Sequence, residues 1–239
     1  MHSASSLGVK TATYELIESS LLKGTLNLEE FSTPLRRLGV LAKQEQDPQA
    51  MALLGKVMQS LGKEEEALDW FCNATKEGID FEGASEALVQ QGRILLSQKD
   101  RQGAEEAFKR AALGLDDPWG YFYLSQLQPP GSSEQEVYLL KAASSGVVEA
   151  SHNLGSLELG RIEKRAEGMH DFGMAKEWFS VAAAEGFGLS MLNLALIYKA
   201  GGQADEGLKW LEKAEELPEI KKEARKVRAQ WGNERVQIS

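Results

Sequence analysis

Three histidines and one cysteine are the side chains of this chain best suited to acid–base, nucleophilic or metal chemistry. They are His2, His152, His170 and Cys72. Catalysis needs a nucleophile and a base, or an acid–base pair, held within hydrogen-bond reach, and a zinc site needs closely spaced ligands. The four residues stand in no such spacing, and the chain has no phosphate-binding G-x-x-x-x-G-K-[ST] motif. The sequence therefore predicts a non-catalytic protein with no catalytic, cofactor-binding or metal-binding residues.

Charge is distributed unevenly along the chain. It has 36 acidic and 27 basic residues, a net charge of −9, which argues against a general nucleic-acid binder because phosphate binding needs clustered positive charge. From Glu219 onward, however, six basic residues stand against three acidic ones. In this segment Lys222, Arg225 and Lys226 are candidate partner-binding residues.

Residues 218–239 predict a basic amphipathic C-terminal helix and tail. Ile220, Ala224, Val227 and Trp231 recur at helical spacing and predict one apolar stripe, with basic side chains around it. One interpretation is a capping helix whose positive charge complements an acidic body or the helix dipole. The alternatives are contact with an acidic partner, with RNA (for example in an organelle), or with an anionic membrane surface, as in a regulatory subunit docked on a membrane enzyme.

A recurring pattern indicates which elements must carry these side chains. Alanines in five predicted helices recur at intervals of 37, 31, 40 and 32 residues, a spacing typical of helical-repeat arrays. They are Ala74, Ala111, Ala142, Ala182 and Ala214. Three residues before each stands a large apolar residue: Phe71, Phe108, Leu139, Phe179 and Leu211. In three of the five helices a tryptophan precedes it, at Trp70, Trp178 and Trp210. The spacing predicts that each helix carries one apolar stripe.

A first helix is predicted before each of these second helices, with a small residue near its middle. These residues are Gly55, Gly92, Ser125, Gly155 and Ala195. Because glycine inside a helix costs about 1 kcal/mol relative to alanine, its recurrence predicts that a bulky neighbour packs against the backbone there. Glycines four residues after the alanine, at Gly78, Gly146 and Gly186, predict left-handed helix ends. Such helix pairs bury their apolar faces only by stacking on one another.

Four regions follow from these patterns. Residues 1–8 are expected to be disordered, 9–46 to form an N-terminal helical cap, 47–217 to form five helical repeats, and 218–239 to form the basic C-terminal segment. In the cap, Asn27 is expected to start a short helix from Leu28 to Phe31, and Thr33 to start the next helix. Arg161 to Asp171 is predicted to be the longest internal loop.

The unit from Ala150 to Gly186 carries a motif that can be compared with known repeats. It combines A-x-x-N-L-G at 150–155 with A-x-x-W-F-x-x-A-x-x-x-G at 175–186. This resembles the Sel-one-like (Sel1-like, SLR) repeat family, a longer relative of the tetratricopeptide repeat (TPR). The resemblance covers about residues 48 to 217. It implies an all-α, right-handed solenoid of helix-turn-helix repeats that acts as a protein-binding scaffold or adaptor, often assembling larger complexes.

The resemblance also implies where a partner would bind. In TPR domains that clamp peptide tails, asparagines on first helices hydrogen-bond the ligand backbone. By that resemblance Asn153 and Asn193 are candidate partner-binding residues, with His152 and Lys199 nearby. The alternative is that these asparagines only tie one helix to the next.

A run of aromatic residues offers a second candidate surface. Tyr121, Phe122 and Tyr123 are adjacent, and no single helix face can bury three adjacent side chains. At least one of them is expected to be exposed or to line the groove, so the segment from Trp119 to Tyr123 is a candidate for binding a partner.

Cysteine content and hydropathy indicate the cellular compartment in which the protein is expected. Cys72 is the only cysteine, so an intramolecular disulfide is excluded and a reducing interior is favoured. The N-terminal residues have no secretory-signal pattern, and no apolar run approaches the roughly 20 residues needed to span a bilayer. We expect an intracellular protein, cytoplasmic or mitochondrial, that binds another protein or peptide segment, with nucleic acid not expected as its partner.

Overall fold

Every regular element in the described part of the chain is a helix. The structure, a computed structural model, describes residues 10–27, 29–165 and 172–232. Thirteen helices lie in these residues: α1 (Lys10–Leu22), α2 (Ser32–Lys43), α3 (Pro48–Ser60), α4 (Glu64–Lys76), α5 (Ala84–Ser97), α6 (Arg101–Leu115), α7 (Pro118–Leu127), α8 (Ser133–Ser144), α9 (Val148–Arg165), α10 (Gly173–Ala184), α11 (Gly188–Ala200), α12 (Ala204–Glu216) and α13 (Lys221–Ala229). The expected disorder of residues 1–8, the residues His2 and His170, and the predicted tail beyond 232 lie outside the described residues.

The helices from α3 to α12 follow one another as five helix-turn-helix pairs. The pairs α3–α4, α5–α6, α9–α10 and α11–α12 pack along their length, and α4, α8 and α10 each also pack on the first helix of the next pair. The chain divides into an N-terminal unit, Met1–Tyr121, and a C-terminal unit, Phe122–Ser239, with the division inside α7. In the N-terminal unit α1 and α2 pack on α3, and in the C-terminal unit α13 packs on α12. The predicted all-α repeat fold is confirmed.

The predicted stripes form the core. The five large apolar residues of the second helices, and the alanines that follow them, are buried. The three tryptophans are only half-buried, because they lie at the edge of the stripe rather than at its centre. Lysine side chains lie over two of them: Lys43 Nζ is 6.0 Å from the Trp70 ring centroid and Lys213 Nζ is 4.1 Å from that of Trp210. The fully buried anchors of the repeats are therefore the phenylalanines and leucines.

The recurrent glycine of the first helices has the packing role that its recurrence predicted. A Cβ atom added at Gly55 would lie 2.5 Å from Cε1 of Phe71, and one added at Gly155 would lie 2.8 Å from Cδ1 of Phe179. Gly92 faces Phe108 in the same way. Each phenylalanine ring of a second helix thus rests directly on the backbone of its own first helix, a contact that even a methyl group would prevent.

The predicted loop from Arg161 to Asp171 is wrong in its first half. Helix α9 continues to Arg165, so Arg161 and Ile162 lie on a helix, while residues 166–171 lie outside the described residues. Gly160 lies inside this helix, where glycine costs only about 1 kcal/mol relative to alanine. Ile162 packs against the hydrophobic core of the C-terminal unit, and Arg161 is held by two carboxylates, which together outweigh that cost.

Two local predictions in the first half of the chain also need correction. The Asn27 side chain accepts a hydrogen bond from the Glu29 N–H at 3.0 Å, but residues 29–31 form a turn rather than a helix. Helix α2 begins at Ser32, so Thr33 lies inside its first turn and does not cap it. Gly146 and Gly186 have the expected left-handed φ of 89° and 88°, whereas Gly78 does not, because the longer turn after α4 reverses at Gly83 instead.

Candidate functional site

A groove in the N-terminal unit is lined by α1 and by the first helices of two consecutive repeats, α3 and α5. Its volume is about 560 Å³. The lining residues are Glu18, Leu21 and Leu22 of α1, Lys56, Gln59 and Ser60 of α3, and Glu86 of α5. We call this set the N-terminal groove. The sequence patterns did not point to it, because it depends on how α1 packs on the repeats.

Side chains from three helices meet in the N-terminal groove. The Lys56 ammonium forms ion pairs with Glu86 and, at 3.9 Å, with Glu18. Next to the groove lining, Gln59 Nε2 of α3 donates to Gln90 Oε1 of α5 at 3.0 Å. These contacts tie α3 to both α1 and α5 and hold the polar wall of the groove in place.

The apolar wall of the N-terminal groove is formed by the end of α1. Leu22 is 89% exposed and Leu21 is half-buried. A large aliphatic side chain left this open to water gains free energy when a partner covers it, at about 25 cal/mol per Å² of apolar area. The groove therefore offers hydrogen-bonding amides and apolar surface side by side.

The position of α1 beside the groove is fixed by a buried carboxylate. Asp47 caps α3 by accepting a hydrogen bond from the Ala50 N–H at 3.0 Å, and it pairs with Lys10 of α1. Burial alone would raise the pKa of Asp47, but the hydrogen bonds from Lys10 and from the Ala50 N–H outweigh it and lower the pKa below its usual value. The ionised carboxylate thus links α1 to the first repeat.

The candidate residues predicted in the C-terminal unit differ in accessibility. Asn153 is half-buried on α9, whereas Asn193 is only 4% exposed on α11. Lys199 is half-buried, and its Nζ lies 5.2 Å from the Trp231 ring centroid. Of the two asparagines, Asn153 is therefore the one that a partner can reach on the surface.

His152 lies between the fourth and fifth repeats. Its Nδ1 is 2.8 Å from the buried Ser190 hydroxyl, and its ring centroid is 5.4 Å from that of Phe179 and 4.9 Å from that of Phe187. Burial lowers the pKa of His152 below its usual value, which favours the neutral imidazole. His152 therefore links α9 to α11. A link between helices is the alternative role that the sequence offered for Asn153 and Asn193.

The aromatic run is mostly buried. Tyr121 is 8% exposed and its hydroxyl donates to Asp116 Oδ1 at 2.9 Å, and Phe122 is also buried. Tyr123 is half-buried and packs edge-on against Phe122 with the centroids 5.5 Å apart. The most accessible ring of the segment is Trp119, which is 40% exposed.

Arg161, predicted to lie in a loop, joins two helices instead. Its guanidinium donates to both carboxylate oxygens of Glu136 on α8, at 3.2 and 2.5 Å, and to Glu158 at 2.5 Å. The hydrogen bond from Arg161 lowers the pKa of Glu136. Arg161 therefore connects the third repeat to the fourth.

Four of the five basic residues of α13 are exposed to solvent. Lys222, Arg225 and Lys226 are exposed, and Ile220 and Ala224 are buried while Val227 and Trp231 pack against the core, as the stripe predicted. Arg228 differs from both the exposed cations and the packed apolar stripe. It is half-buried and pairs with Glu215 at 2.6 Å and with Glu212 at 3.8 Å on α12.

The described residues offer little for metal binding or nucleophilic catalysis. In 10–27, 29–165 and 172–232, no three His, Cys, Asp or Glu side chains are grouped so that they could hold a metal ion. Burial raises the pKa of the half-buried Cys72 thiol, which disfavours the nucleophilic thiolate. In the same residues no helix has both the length and the apolar character needed to cross a bilayer.

Comparison with known proteins places the fold. A family model described as tetratricopeptide repeat matches residues 190–220. None of the curated proteins compared with the chain matches it. The structure of pilF from Pseudomonas aeruginosa is 18% identical, with a TM-score of 0.70 over 92% of this chain and 96% of that chain.

Two further solved structures are similar to the chain. A Sel1 repeat protein from Oxalobacter formigenes is 21% identical, with a TM-score of 0.64 over 87% of this chain and 90% of that one. The protein c5321, a protective antigen of uropathogenic Escherichia coli with an SLR fold, is 17% identical, with a TM-score of 0.67 over 95% of this chain and 50% of its own length. Proteins with such repeats typically mediate protein–protein interactions and are usually non-catalytic. The chain has a tetratricopeptide-like solenoid fold built of helix-turn-helix repeats.

Proposed function

We propose that this protein is a non-catalytic adaptor or assembly factor that binds a segment of another protein in the N-terminal groove. The observation that carries the proposal is the groove itself, because first helices of consecutive repeats line it together with an exposed leucine. Repeat proteins use such elongated concave surfaces to bind partners.

The polar wall suits the backbone of an extended segment. A glutamine amide offers two N–H donors and a carbonyl acceptor. The Gln90 carbonyl accepts from both Gln59 Nε2 and Arg93 Nη1. The second N–H and the carbonyl of Gln59 remain for a ligand. Backbone N–H and C=O groups of a partner need such partners when they leave water.

The apolar wall suits one or two aliphatic or aromatic side chains of the same segment. Leu21 and Leu22 line the groove together with Lys56 and its two carboxylates. The ligand class is therefore a polypeptide segment with an apolar anchor and polar neighbours.

We further propose that the repeats are of the Sel1-like kind and that the protein works inside the cell, in the cytoplasm or in mitochondria. The motif at 150–155 and 175–186 and the two similar SLR-fold structures support the first point. The single cysteine supports the second. Imaging of the tagged protein expressed from its own gene tests the location, and a signal outside the cell would contradict it.

Affinity purification with quantitative mass spectrometry tests the proposed function. The bait is the full chain, compared with the double variant Gln59→Ala/Gln90→Ala and with the control Gln98→Ala/Gln102→Ala. The control carries the same change of residue type at exposed positions outside the groove. We expect the groove variant to stay folded and to lose a specific partner that the control retains. Equal retention by both variants would contradict the proposal.

A further inference from the structure

A second surface lies at the other end of the chain, on the side of α13 that faces solvent. The side chains of Lys221, Lys222, Arg225 and Lys226 are all exposed. At 3.6 residues per turn they fall within about 140° of one another around the helix axis, opposite the stripe that packs on the core. We call these four residues the basic face.

The basic face is held in a fixed orientation. Ala224 is fully buried, Ile220 is buried, and Val227 and Trp231 pack against the same core cluster. Arg228 adds a clamp to Glu212 and Glu215 of α12. With its opposite side anchored by packing and ion pairs, α13 presents its cations without further ordering of the backbone.

The cations of the basic face have no ion-pair partner among the described residues. In that part of the chain none of the four forms an ion pair, although Arg228 on the same helix is paired. Glu219 and Glu223 are the acidic residues nearest in sequence, so four positive charges stand against two. The chain as a whole has a net charge of −9 and so offers many carboxylates. A cluster of cations without ion pairs is unexpected on such a chain.

We propose that the basic face binds an acidic polypeptide segment, as a docking surface separate from the N-terminal groove. Charge complementarity supports this occupant. Arginine binds carboxylates through two parallel hydrogen bonds. The cations form two pairs, Lys221 with Arg225 and Lys222 with Lys226, and the members of each pair are about one turn of helix, about 5.4 Å, apart along the axis. That spacing suits a few neighbouring carboxylates of an Asp- or Glu-rich segment.

A membrane surface fits the basic face less well. Interfacial helices insert an apolar face among the lipids, but the apolar stripe of α13 is already packed on the core. Purely electrostatic attachment to anionic lipid uses clusters of about four to eight cations, at about 1 kcal/mol each. Glu219 and Glu223 offset half of the four cations present.

Single-stranded RNA also fits less well. Proteins that bind it combine a positive groove with aromatic side chains on which bases stack. The aromatic side chain at the end of α13, Trp231, is half-buried and has the Lys199 ammonium 5.2 Å from its ring centroid.

Fluorescence anisotropy with a labelled oligoglutamate peptide tests the proposal. The variant is Lys222→Glu/Arg225→Glu/Lys226→Glu, and the control is Lys23→Glu/Arg36→Glu/Lys76→Glu, which reverses three exposed cations that are scattered over the N-terminal unit. Both variants have the same net charge. Any difference in their affinity for the peptide is therefore due to the cations clustered on α13. The neutral variant Lys222→Gln/Arg225→Gln/Lys226→Gln serves if charge reversal disturbs folding.

The expected result is saturable binding by the unmodified chain at low ionic strength, about tenfold weaker binding by the basic-face variant, and near-unchanged binding by the control. Equal loss in both variants would overturn the proposal, because binding would then follow the general field of the protein. Tighter binding of oligouridylate, or of phosphatidylserine vesicles, through the same three residues would overturn it in favour of RNA or membrane. Neither result depends on the N-terminal groove, whose variant Gln59→Ala/Gln90→Ala should bind the peptide normally.

Discussion

The Phe71 ring lies against the backbone of Gly55 so closely that no side chain fits between them. A Cβ atom at Gly55 would be 2.5, 2.6 and 2.9 Å from three atoms of the ring. The same relation joins Phe108 to Gly92 and Phe179 to Gly155. Because each pair links the two helices of one repeat, this contact sets how closely the helices approach in three of the five repeats.

Gly55→Ala should therefore destabilise the protein, even though alanine is the better helix former. The helix-propensity gain is about 1 kcal/mol, and overpacking a filled core costs about 1–3 kcal/mol, so we expect a net loss. The matched control is Gly39→Ala, at a helical glycine with no atom within 4 Å of the added Cβ, which should gain about 0.5–1 kcal/mol. Urea denaturation measures both, and stabilisation by both substitutions would contradict the packing account.

Phe179→Ala should cost more than Trp178→Ala. Trp178 and Phe179 are neighbours on α10, but the Trp178 side chain is half-buried while Phe179 is fully buried. We expect about 3–5 kcal/mol for Phe179→Ala and about 1–3 kcal/mol for Trp178→Ala, since less apolar area is lost. Chemical unfolding of the two variants side by side decides the order, and the reverse order would place the anchor at the tryptophan.

Acid should loosen the link between α1 and α3. The pKa of Asp47 is lowered in the folded chain, so its ionised form contributes stability above its unfolded value of about 3.9, and that contribution is lost as the pH falls through the folded value. Asp47→Asn keeps a side chain suited to capping α3 but removes the charge. Its free energy of unfolding should fall less between about pH 5 and pH 2 than that of the unmodified chain; parallel curves would count against the carboxylate link.

Mild acid should also weaken the junction of the fourth and fifth repeats. Burial lowers the pKa of His152, so the folded chain prefers the neutral imidazole, and the stability it contributes is present above the unfolded value of about 6.5 and lost as the pH falls. His152→Leu places at this site the residue type found at the matching Leu192 of the last repeat. We expect the variant to show a smaller drop in unfolding free energy between about pH 7 and pH 5. Because both proteins retain His2 and His170, the difference between their curves isolates His152.

The repeats were predictable from sequence because their packing is local and periodic. The stripe containing Phe71 and Ala74, and the glycine at position 55, are set by spacings within one helix pair. The N-terminal groove was not predictable, because no repeat pattern specifies where Leu22 or Glu18 of α1 lies relative to Lys56. Arg161 was misplaced for a related reason: its helix is maintained by contacts with Glu136 and the core, which lie far from it in sequence.

The accessibility of the candidate asparagines was also beyond sequence reasoning. Asn153 and Asn193 hold the same position in the motif, but Asn193 is buried in the last repeat, where α12 is followed by α13 rather than by another pair. Motif position fixes the direction of a side chain on its helix, whereas exposure depends on what packs beside it.

Site-specific photocrosslinking tests the groove most directly. A photoreactive phenylalanine analogue is placed at Gln59, in the N-terminal groove, or at the exposed Asp69 on the second helix α4, and the full chain is irradiated in its native cells. The groove account expects a crosslinked partner from position 59 and none from position 69. A partner captured from position 69 and absent from position 59 would contradict it.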